Sequence, residues 1–250
     1  MRPLFLFPLL VSLVILCADA RCSPASPGGV PPFLPAAVVH IRADSGPSPI
    51  GFVGRSTATG FFVGPRLVLT CNHVSRVPGF WSSGEARRYR VDLGGGATAP
   101  AELVMRDVEN DLALLRLDDC SDEAWPHLTV GRFNLSAGDE VVVAGNFPRD
   151  VRLVRGPLLS ASVHESLALA GAKVRVGFSG APILGPDGSV QGILSQRDAA
   201  DNAVFVRSDA IRALLRRYEQ ETGSRVAGLA PENGDARAPG RKAVRRSRGR

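Results

Sequence analysis

The sequence is poor in aromatic residues and in cysteine. Aromatic side chains make up 6% of the 250 residues, and there are four cysteines, of which Cys17 lies in an apolar N-terminal segment. The other three, Cys22, Cys71 and Cys120, are an odd number, so the core cannot depend on a full disulfide framework. We expect Cys71, which lies among strand residues, to be a buried free thiol; a bridge between Cys22 and Cys120 stays open.

Sequence motifs for metal, thiol-redox and nucleotide chemistry are absent as well. The chain has no CxxC, no HExxH and no phosphate-binding glycine loop. These patterns mark zinc or redox centres and nucleotide sites. We therefore expect no metal, no cofactor and no specific nucleic acid partner.

The apolar run at the N-terminus is shorter than the roughly 20 residues that a helix needs to span a bilayer. Residues 1–20 contain one cation, an apolar run of about 13 residues and the small-residue sequence Ala18-Asp19-Ala20. This order is that of a secretory signal peptide cleaved near Ala20, rather than a membrane anchor. We expect the mature protein to be exported, either secreted or periplasmic.

Negative charge is missing from the C-terminal end. The chain has a net charge of +6, but residues 237–250 hold six arginines, one lysine and no acid, so the preceding residues sum to −1. The basic character thus belongs to a tail rather than to the folded part. We expect this tail either to bind acidic polymers or anionic surfaces weakly, or to be a solubilising end.

Glycine (27) and proline (19) are plentiful, and turn residues separate many short strand-like runs. Such a pattern is typical of an all-β fold, a sandwich or a barrel. A single helix is predicted over 209–220, with an acidic first turn and one apolar face. The predicted strands are 38–42, 57–63, 67–70, 89–93, 101–106 and 112–117, followed by 140–144, 151–154, 158–163, 173–176, 182–184, 190–195 and 204–207.

The composition changes along the chain and predicts its domain boundaries. Residues 21–36, rich in proline, serine and glycine, are expected to form a linker after the signal peptide. The folded domain is expected over 37–221. Residues 222–250 turn polar and then arginine-rich, which predicts disorder.

The most informative segment runs from Thr59 to Val74, with the sequence TGFFVGPRLVLTCNHV. It predicts two apolar strands joined by a Gly-Pro turn, the second ending near His73. A histidine at the end of a buried strand is held rigidly while one ring edge faces a cleft. Taken alone, such a histidine is more often structural than catalytic.

Two later residues make the catalytic interpretation stronger. Asp111 opens an apolar strand, DLALLRL, and Ser179 lies in the turn sequence GFSGAP. Histidine, aspartate and serine in this order are the parts of an acyl-transfer site. Ser179 would attack a carbonyl, His73 would act as general base and then acid, and Asp111 would orient the imidazole. The small Gly177 and Gly180 would let the N–H groups of Gly177 and Ser179 converge as an oxyanion hole.

Several segments together resemble the trypsin-like serine peptidases of the chymotrypsin clan, most closely the bacterial HtrA/Deg proteases. They are TGFFVG…LVLTCNHV, NDLALLRL, VVVAGNFP, GPLLSASV and GFSGAPIL…VQGILS, within residues 57–196. The resemblance implies two antiparallel β-barrels, roughly 37–130 and 131–210, with the active site in the cleft between them. It also carries over the same catalytic triad and the same two oxyanion donors.

The resemblance has further implications for single residues. The strand that contains Leu194 and Ser195 resembles the one that pairs with the substrate backbone in this family, so both residues are expected to line the cleft. Ser195 has no histidine or aspartate context and is not expected to be a second nucleophile. Phe178 stands where animal zymogens have an aspartate, so activation through a new N-terminus is not expected. Lys173 could charge the floor of the substrate pocket, although a solvent-facing lysine is the commoner case. No PDZ domain is expected in 222–250.

The sequence therefore predicts a secreted, monomeric serine endopeptidase that acts on protein or peptide substrates. The alternative is a catalytically inactive protease-fold protein that binds a partner. An esterase fits less well, because α/β-hydrolases carry these residues in the order Ser, Asp, His.

Overall fold

The computed structural model describes residues 30–46, 53–78, 84–118, 125–146 and 150–231. Within them the chain forms two closed, six-stranded antiparallel β-barrels and a long helix on the C-terminal side. The predicted all-β, chymotrypsin-like fold with two barrels and a C-terminal helix is confirmed.

The first half of the chain forms the first barrel. Its elements are a short helix, α1 (Leu34–Ala37), and strands β1 (Val38–Asp44), β2 (Arg55–Gly64), β3 (Leu67–Cys71), β4 (Arg76–Val77), β5 (Gly84–Glu85), β6 (Arg88–Gly94), β7 (Ala97–Asp107) and β8 (Leu112–Leu117). The barrel closes in the order β1-β2-β3-β8-β7-β6, and β4 and β5 pair as a separate two-stranded sheet.

The second half repeats this architecture. Its elements are β9 (Glu140–Asn146), β10 (Val151–His164), β11 (Leu167–Lys173), β12 (Pro182–Leu184), β13 (Val190–Arg197), β14 (Asn202–Arg207) and helix α2 (Ser208–Thr222). The strands close in the order β10-β11-β14-β13-β12-β9. In the described part of the chain, neither helix is long and apolar enough to cross a membrane.

Strands β2 and β3 lie where the two barrels meet. The last seven residues of β2 and all five residues of β3 are buried. Continuous burial, rather than alternation, is expected where both faces of a strand are covered. The covering strands on the second barrel are β9 and β13. The residues that follow β3 therefore lie at the groove between the barrels.

The strand prediction for the second barrel was wrong in two places. Residues 151–154 and 158–163 belong to one strand, β10, which pairs with β9 up to Pro157 and with β11 from Leu158 onward. The proline is tolerated because it stands where the strand changes partner. The predicted strand 173–176 is instead the exit from β11, whose Ala- and Gly-rich sequence has low β propensity and was missed.

Parts of the predicted linker, 21–36, and of the predicted disordered segment, 222–250, are ordered. Leu34, in the linker, begins α1 and is 1% exposed, because its side chain packs into the core of the first barrel. On the C-terminal side, Val226 is buried and the Gly228 N–H donates to the Val63 carbonyl at 2.8 Å. These contacts fix the chain as far as residue 231. The signal peptide, Cys22, Cys120 and the basic tail lie outside the described residues.

Candidate active site

A cavity of about 630 Å³ opens in the cleft between the barrels. His73 and Asp111 reach it from the first barrel, and Gly177 and Ser179 from the second. Its remaining walls are the segments 174–176 and 194–197. The predicted catalytic residues, the oxyanion residues and the predicted cleft residues Leu194 and Ser195 thus all line one cavity.

His73 is positioned by the short 3₁₀ turn, Asn72–Ser75, that follows β3. Its backbone N–H donates to Asp111 Oδ1 at 2.8 Å, and its ring Nδ1 lies 2.8 Å from Asp111 Oδ2. The Asn72 N–H donates to the Asp111 carbonyl at 3.0 Å. The aspartate therefore holds both the backbone and the ring of His73, and leaves Nε2 as the free ring nitrogen.

Asp111 occupies a left-handed backbone conformation, with φ of 54°, just before β8. Aspartate tolerates this conformation better than most residues with a side chain. Burial raises the pKa of the Asp111 carboxyl, but the hydrogen bond and charge of His73, together with hydrogen bonds from Ser195 and the His73 backbone, outweigh burial. Its pKa is therefore lowered below the ordinary value, and it stays ionised in the cleft.

Ser195 does more than the sequence indicated. It lines the cavity, as expected, but its hydroxyl also donates to Asp111 Oδ2 at 2.6 Å. The statement that Ser195 lacks an aspartate context was wrong, because β13 returns to the cleft 84 residues after Asp111. Local sequence carries no signal for such a contact. Ser195 is thus a positioning residue for the carboxylate.

Leu194 is 2% exposed and acts mainly through its backbone. Its carbonyl accepts hydrogen bonds from the Gly180 N–H at 2.7 Å and from the Cys71 thiol at 3.0 Å. The Leu194 N–H donates to the Ala181 carbonyl at 2.9 Å. The strand that lines the cleft is thereby tied both to the turn carrying Ser179 and to the end of β3.

Ser179 lies in a turn between two glycines with positive φ, Gly177 at 92° and Gly180 at 85°. A Cβ on Gly180 would overlap the carbonyl oxygen of Thr59, so a larger residue has no room there. The N–H groups of Gly177 and Ser179 donate to no acceptor among the described residues. Two unpaired donors beside a serine in a cavity suit the binding of a negatively charged oxygen.

The Ser179 hydroxyl itself is hydrogen-bonded only weakly. Its Oγ donates to the Ser195 carbonyl at 3.5 Å. Between the described residues His73 and Ser179 no hydrogen bond is formed. Catalytic hydrogen bonds are often long or misaligned in structures without substrate and tighten when substrate binds.

Thr59 is a residue of the site that the sequence analysis missed. It is fully buried on β2, where its N–H donates to the Ser179 carbonyl at 2.9 Å and its hydroxyl donates to the Gly177 carbonyl at 2.9 Å. The same hydroxyl accepts the Asn146 N–H at 3.0 Å. One first-barrel threonine thus holds the serine turn of the second barrel. No clear signal in the sequence marked this role, because Thr59 follows the other small polar residues Ser56 and Thr57 on the same strand.

Cys71 lies behind the His73–Asp111 pair. It is a buried free thiol, as expected, and burial followed by the Asp111 charge raises its pKa well above the ordinary value. Ligand-type atoms of Cys71, His73 and Asp111 lie within 4.8 Å of one another. Each of these atoms already makes a hydrogen bond, so the cluster is built as a hydrogen-bond network.

The remaining sequence expectations concern Phe178 and Lys173. Phe178 is 2% exposed and packs in the second barrel against Gly145, so no carboxylate stands at that position. The Lys173 amine donates to the Ala200 carbonyl and to Asn202 Oδ1, both at 2.7 Å. Lys173 is not among the residues that line the cavity.

Two closed antiparallel barrels with histidine, aspartate and serine side chains lining the intervening cleft define the architecture of a chymotrypsin-like serine peptidase. The family model of the trypsin-like peptidase domain matches residues 58–193. This is more than half of the chain, and the protein belongs to that family. The matched segment includes His73, Asp111 and Ser179.

One curated relative extends the comparison. Serine protease HTR4 of Bos taurus is 28% identical over an alignment of 199 positions, which covers 73% of this chain and 39% of that protein. The chain therefore spans well under half of the length of that relative. Together the family and this relative support a serine protease.

Proposed function

We propose that this protein is an exported serine endopeptidase that cleaves peptide bonds through an acyl-enzyme, with Ser179 as nucleophile, His73 as general base and acid, and Asp111 as the partner of His73. The observation that carries the proposal is the 2.8 Å contact between His73 Nδ1 and Asp111 Oδ2. It commits Nδ1 and leaves Nε2 for the serine, with which His73 shares a cavity.

In the first half of the reaction, Ser179 Oγ attacks the carbonyl carbon of the scissile bond while His73 Nε2 takes the hydroxyl proton. The carbonyl oxygen becomes negatively charged and receives the N–H groups of Gly177 and Ser179. His73 then gives its proton to the leaving amine, the C–N bond breaks, and an ester to Ser179 remains. The Asp111 carboxylate stabilises the imidazolium in between.

In the second half, water attacks the ester carbon and gives a proton to His73. The C–O bond to Ser179 breaks, His73 returns the proton to Oγ, and the carboxyl product leaves.

Before the first attack on a substrate, the Ser179 hydroxyl must turn away from the Ser195 carbonyl. Its hydrogen bond to that carbonyl is 3.5 Å long, which is too long to resist this rotation.

One observation favours the alternative, a protease-fold protein that binds a partner without cleaving it. The Ser179 hydroxyl is directed at the Ser195 carbonyl and makes no hydrogen bond to His73, both being described residues. If binding a peptide does not turn this hydroxyl, the cleft would hold the peptide and not cleave it.

Labelling with a fluorophosphonate separates these two functions. We expect the reagent to modify Ser179, and the protein to hydrolyse an unfolded protein substrate. Ser179→Ala should abolish both, whereas the matched control Ser224→Ala, at an exposed serine outside the cavity, should be labelled like the unchanged protein. Absence of labelling in the unchanged protein, with peptide binding retained, would establish the binding function.

The export proposal and the tail proposal are tested separately. If the protein is exported, N-terminal sequencing of the mature chain should begin near Arg21. Deletion of 237–250 should abolish low-salt retention on heparin, because this segment holds seven cations and no acid. Peptide hydrolysis should be unchanged at physiological salt, where screening confines charge interactions to about 8–10 Å. Equal retention of the truncated chain would show that the tail is not what binds.

A further inference from the structure

The cavity walls beyond Ser179 carry an excess of positive charge. Arg175 and Arg197 line the cavity that contains Ser179. An adjoining cavity of about 490 Å³ shares both arginines with the first and adds Arg152. The acids that line these two cavities are Asp111 and Asp201.

Little of this positive charge is neutralised within the described residues. Arg152 and Arg175 make no ion pair or side-chain hydrogen bond there. Arg197 pairs with Asp201, but the two side chains are 48% and 56% exposed, and exposed ion pairs are weak. Asp111 is committed to His73 and Ser195. A carboxylate entering the cavity would therefore meet guanidinium groups with free donors.

The same walls also offer apolar surface. Val174 and Leu194 line the cavity with Ser179 but are only 3% and 2% exposed, so they form its apolar backing rather than its open surface. Val176, which lines both cavities, is 74% exposed and so has apolar surface free for contact. An apolar floor below charged groups suits a side chain that has methylene groups and a terminal charge.

The position of Ser179 determines which substrate residue enters this space. When the serine attacks a carbonyl, the acyl-side Cα is bonded directly to the reacting carbon, so its side chain starts closer to Ser179 than the side chain on the amine side of the bond. The segments 174–177 and 194–197 flank Ser179 in the same cavity. The acyl-side residue is therefore the one whose side chain can reach Arg175 and Arg197.

Given the proposed peptidase function, on which this step rests, we propose that the cavity selects an acidic residue, glutamate above all, on the acyl side of the scissile bond. Arg175 and Arg197 are its specificity-determining residues. The planar guanidinium binds a carboxylate through two parallel hydrogen bonds. The amide of glutamine has one acceptor oxygen and no negative charge, so it cannot form the same pair.

The test uses peptides that are identical except for glutamate, glutamine, leucine or lysine at this position. We expect kcat/KM for the glutamate peptide to exceed that for the isosteric glutamine peptide about tenfold at low salt, and the ratio to fall as salt is raised. Arg175→Gln and Arg197→Gln should each lower this ratio, and the double variant should bring it close to one. The matched control Arg116→Gln, which removes an exposed arginine paired with Glu102 outside the cavity, should keep the ratio.

Asp201→Asn provides a test in the opposite direction. It removes the carboxylate that competes for Arg197 and retains a residue that tolerates the positive φ of 61° at this position. We expect the ratio of glutamate to glutamine cleavage to rise. Thermal melting shows whether the double arginine variant is folded. If it is not, the single variant Arg175→Glu takes its place and should shift the preference from glutamate toward lysine.

Fluorophosphonate labelling distinguishes the two possible failures. Labelling at Ser179 together with equal cleavage of the glutamate and glutamine peptides would overturn the acidic preference and leave the peptidase function standing. Loss of preference in Arg116→Gln would show that net charge, rather than the cavity arginines, is responsible. No labelling and no cleavage of any peptide would overturn the peptidase function and the preference together.

Discussion

The two barrels contribute to the cleft in different ways. The first barrel supplies His73 and Asp111, which bind each other through side chain and backbone. The second supplies Ser179 on a turn with unpaired N–H groups at Gly177 and Ser179 in the described chain, and with exposed neighbours such as Arg175. The half of the site for which we propose the acid–base role, His73 with Asp111, is therefore arranged before substrate binds, whereas the half with Ser179 has unpaired hydrogen-bond donors.

The connection between the halves explains how the serine turn is nevertheless held. Thr59 binds the carbonyls of Gly177 and Ser179 from the first barrel, and Ser195 reaches from the second barrel to Asp111. Each half is thus positioned partly by a residue of the other half. Changes in the first barrel should act on the chemistry, and changes at the contacts between barrels should act on stability and chemistry together.

Among the substitutions that leave Ser179 in place, Asp111→Asn should have the largest effect on activity. The substitution keeps the shape of the side chain but allows the wrong imidazole tautomer, and the comparable change in a Ser-His-Asp triad lowers kcat about 10⁴-fold. Peptide hydrolysis under saturating substrate measures the loss. Asp209→Asn, in the first turn of α2, is the control and should retain activity. A variant that keeps a tenth of the activity would show that the first barrel does not orient the base.

The sequence signals for His73, Asp111 and Ser179 are local, and the structure brings these three residues to one cavity. His73 follows directly from an apolar strand, and Asp111 directly precedes one, β8, whose bounds 112–117 were also predicted. Ser179 is marked by flanking glycines that its turn requires. In each case the residue type and the local backbone are determined by neighbours within a few positions.

The contacts between the barrels were not predicted, for a physical reason. Thr59 and Gly177 are 118 positions apart, and Ser195 and Asp111 are 84 apart. Such contacts depend on barrel closure and strand register, which one sequence does not reveal. Strand β11 was missed for a different reason, since its alanines and glycine carry little β propensity and are selected by the narrow barrel interior.

Thr59→Val should have the next largest effect, on stability and activity together. Valine fills the same volume but leaves the Asn146 N–H and the Gly177 carbonyl without their buried partner. An unsatisfied buried group costs about 1–3 kcal/mol, which urea unfolding can measure. The rate of fluorophosphonate labelling at Ser179 should fall as well.

The control for this substitution is Thr98→Val, at an exposed threonine of β7 in the same barrel. It should change the free energy of unfolding little and leave labelling unchanged. A loss of stability in Thr59→Val with normal labelling would mean that the serine turn does not need its hold on the first barrel.

Ser195→Ala should have a smaller effect than either. It removes one of the hydrogen bonds to the Asp111 carboxylate, while both contacts with His73 remain. Because both contacts with His73 remain, we expect a loss of about 1.4 kcal/mol, so kcat should fall by roughly tenfold, far less than in Asp111→Asn. Ser195→Thr, which retains a hydroxyl, should recover part of the rate. An unchanged rate in Ser195→Ala would show that His73 alone positions the carboxylate.

The smallest expected effect is a difference between Asp111 of the first barrel and Asp198 of the second in how each makes the free energy of unfolding depend on pH. The pKa of Asp111 is lowered although burial opposes the shift, because His73, Ser195 and the His73 backbone bind the carboxylate. The pKa of Asp198, which directly follows β13 in the second barrel, is lowered by hydrogen bonds from the Asn202 side chain and backbone at a partly exposed position. Both groups have a folded pKa below the unfolded value of about 3.9, so the folded state binds fewer protons than the unfolded state near that pH. Their stabilisation is present above about pH 3.9 and is lost as the pH falls through the folded pKa.

We therefore expect part of the acid destabilisation, measured by urea unfolding between pH 7 and pH 2.5, to disappear in Asp111→Asn and a smaller part in Asp198→Asn. Raising the salt concentration should reduce the contribution of Asp198 more than that of Asp111, because burial affects the pKa of Asp111 more strongly and screening is weaker for buried charges. Equal salt sensitivity of the two contributions would indicate that the Asp111 carboxylate is as solvated as Asp198. In that case the first barrel would not shield the Asp111 carboxylate from solvent, and the contrast between a prearranged half and an open half of the site would be lost.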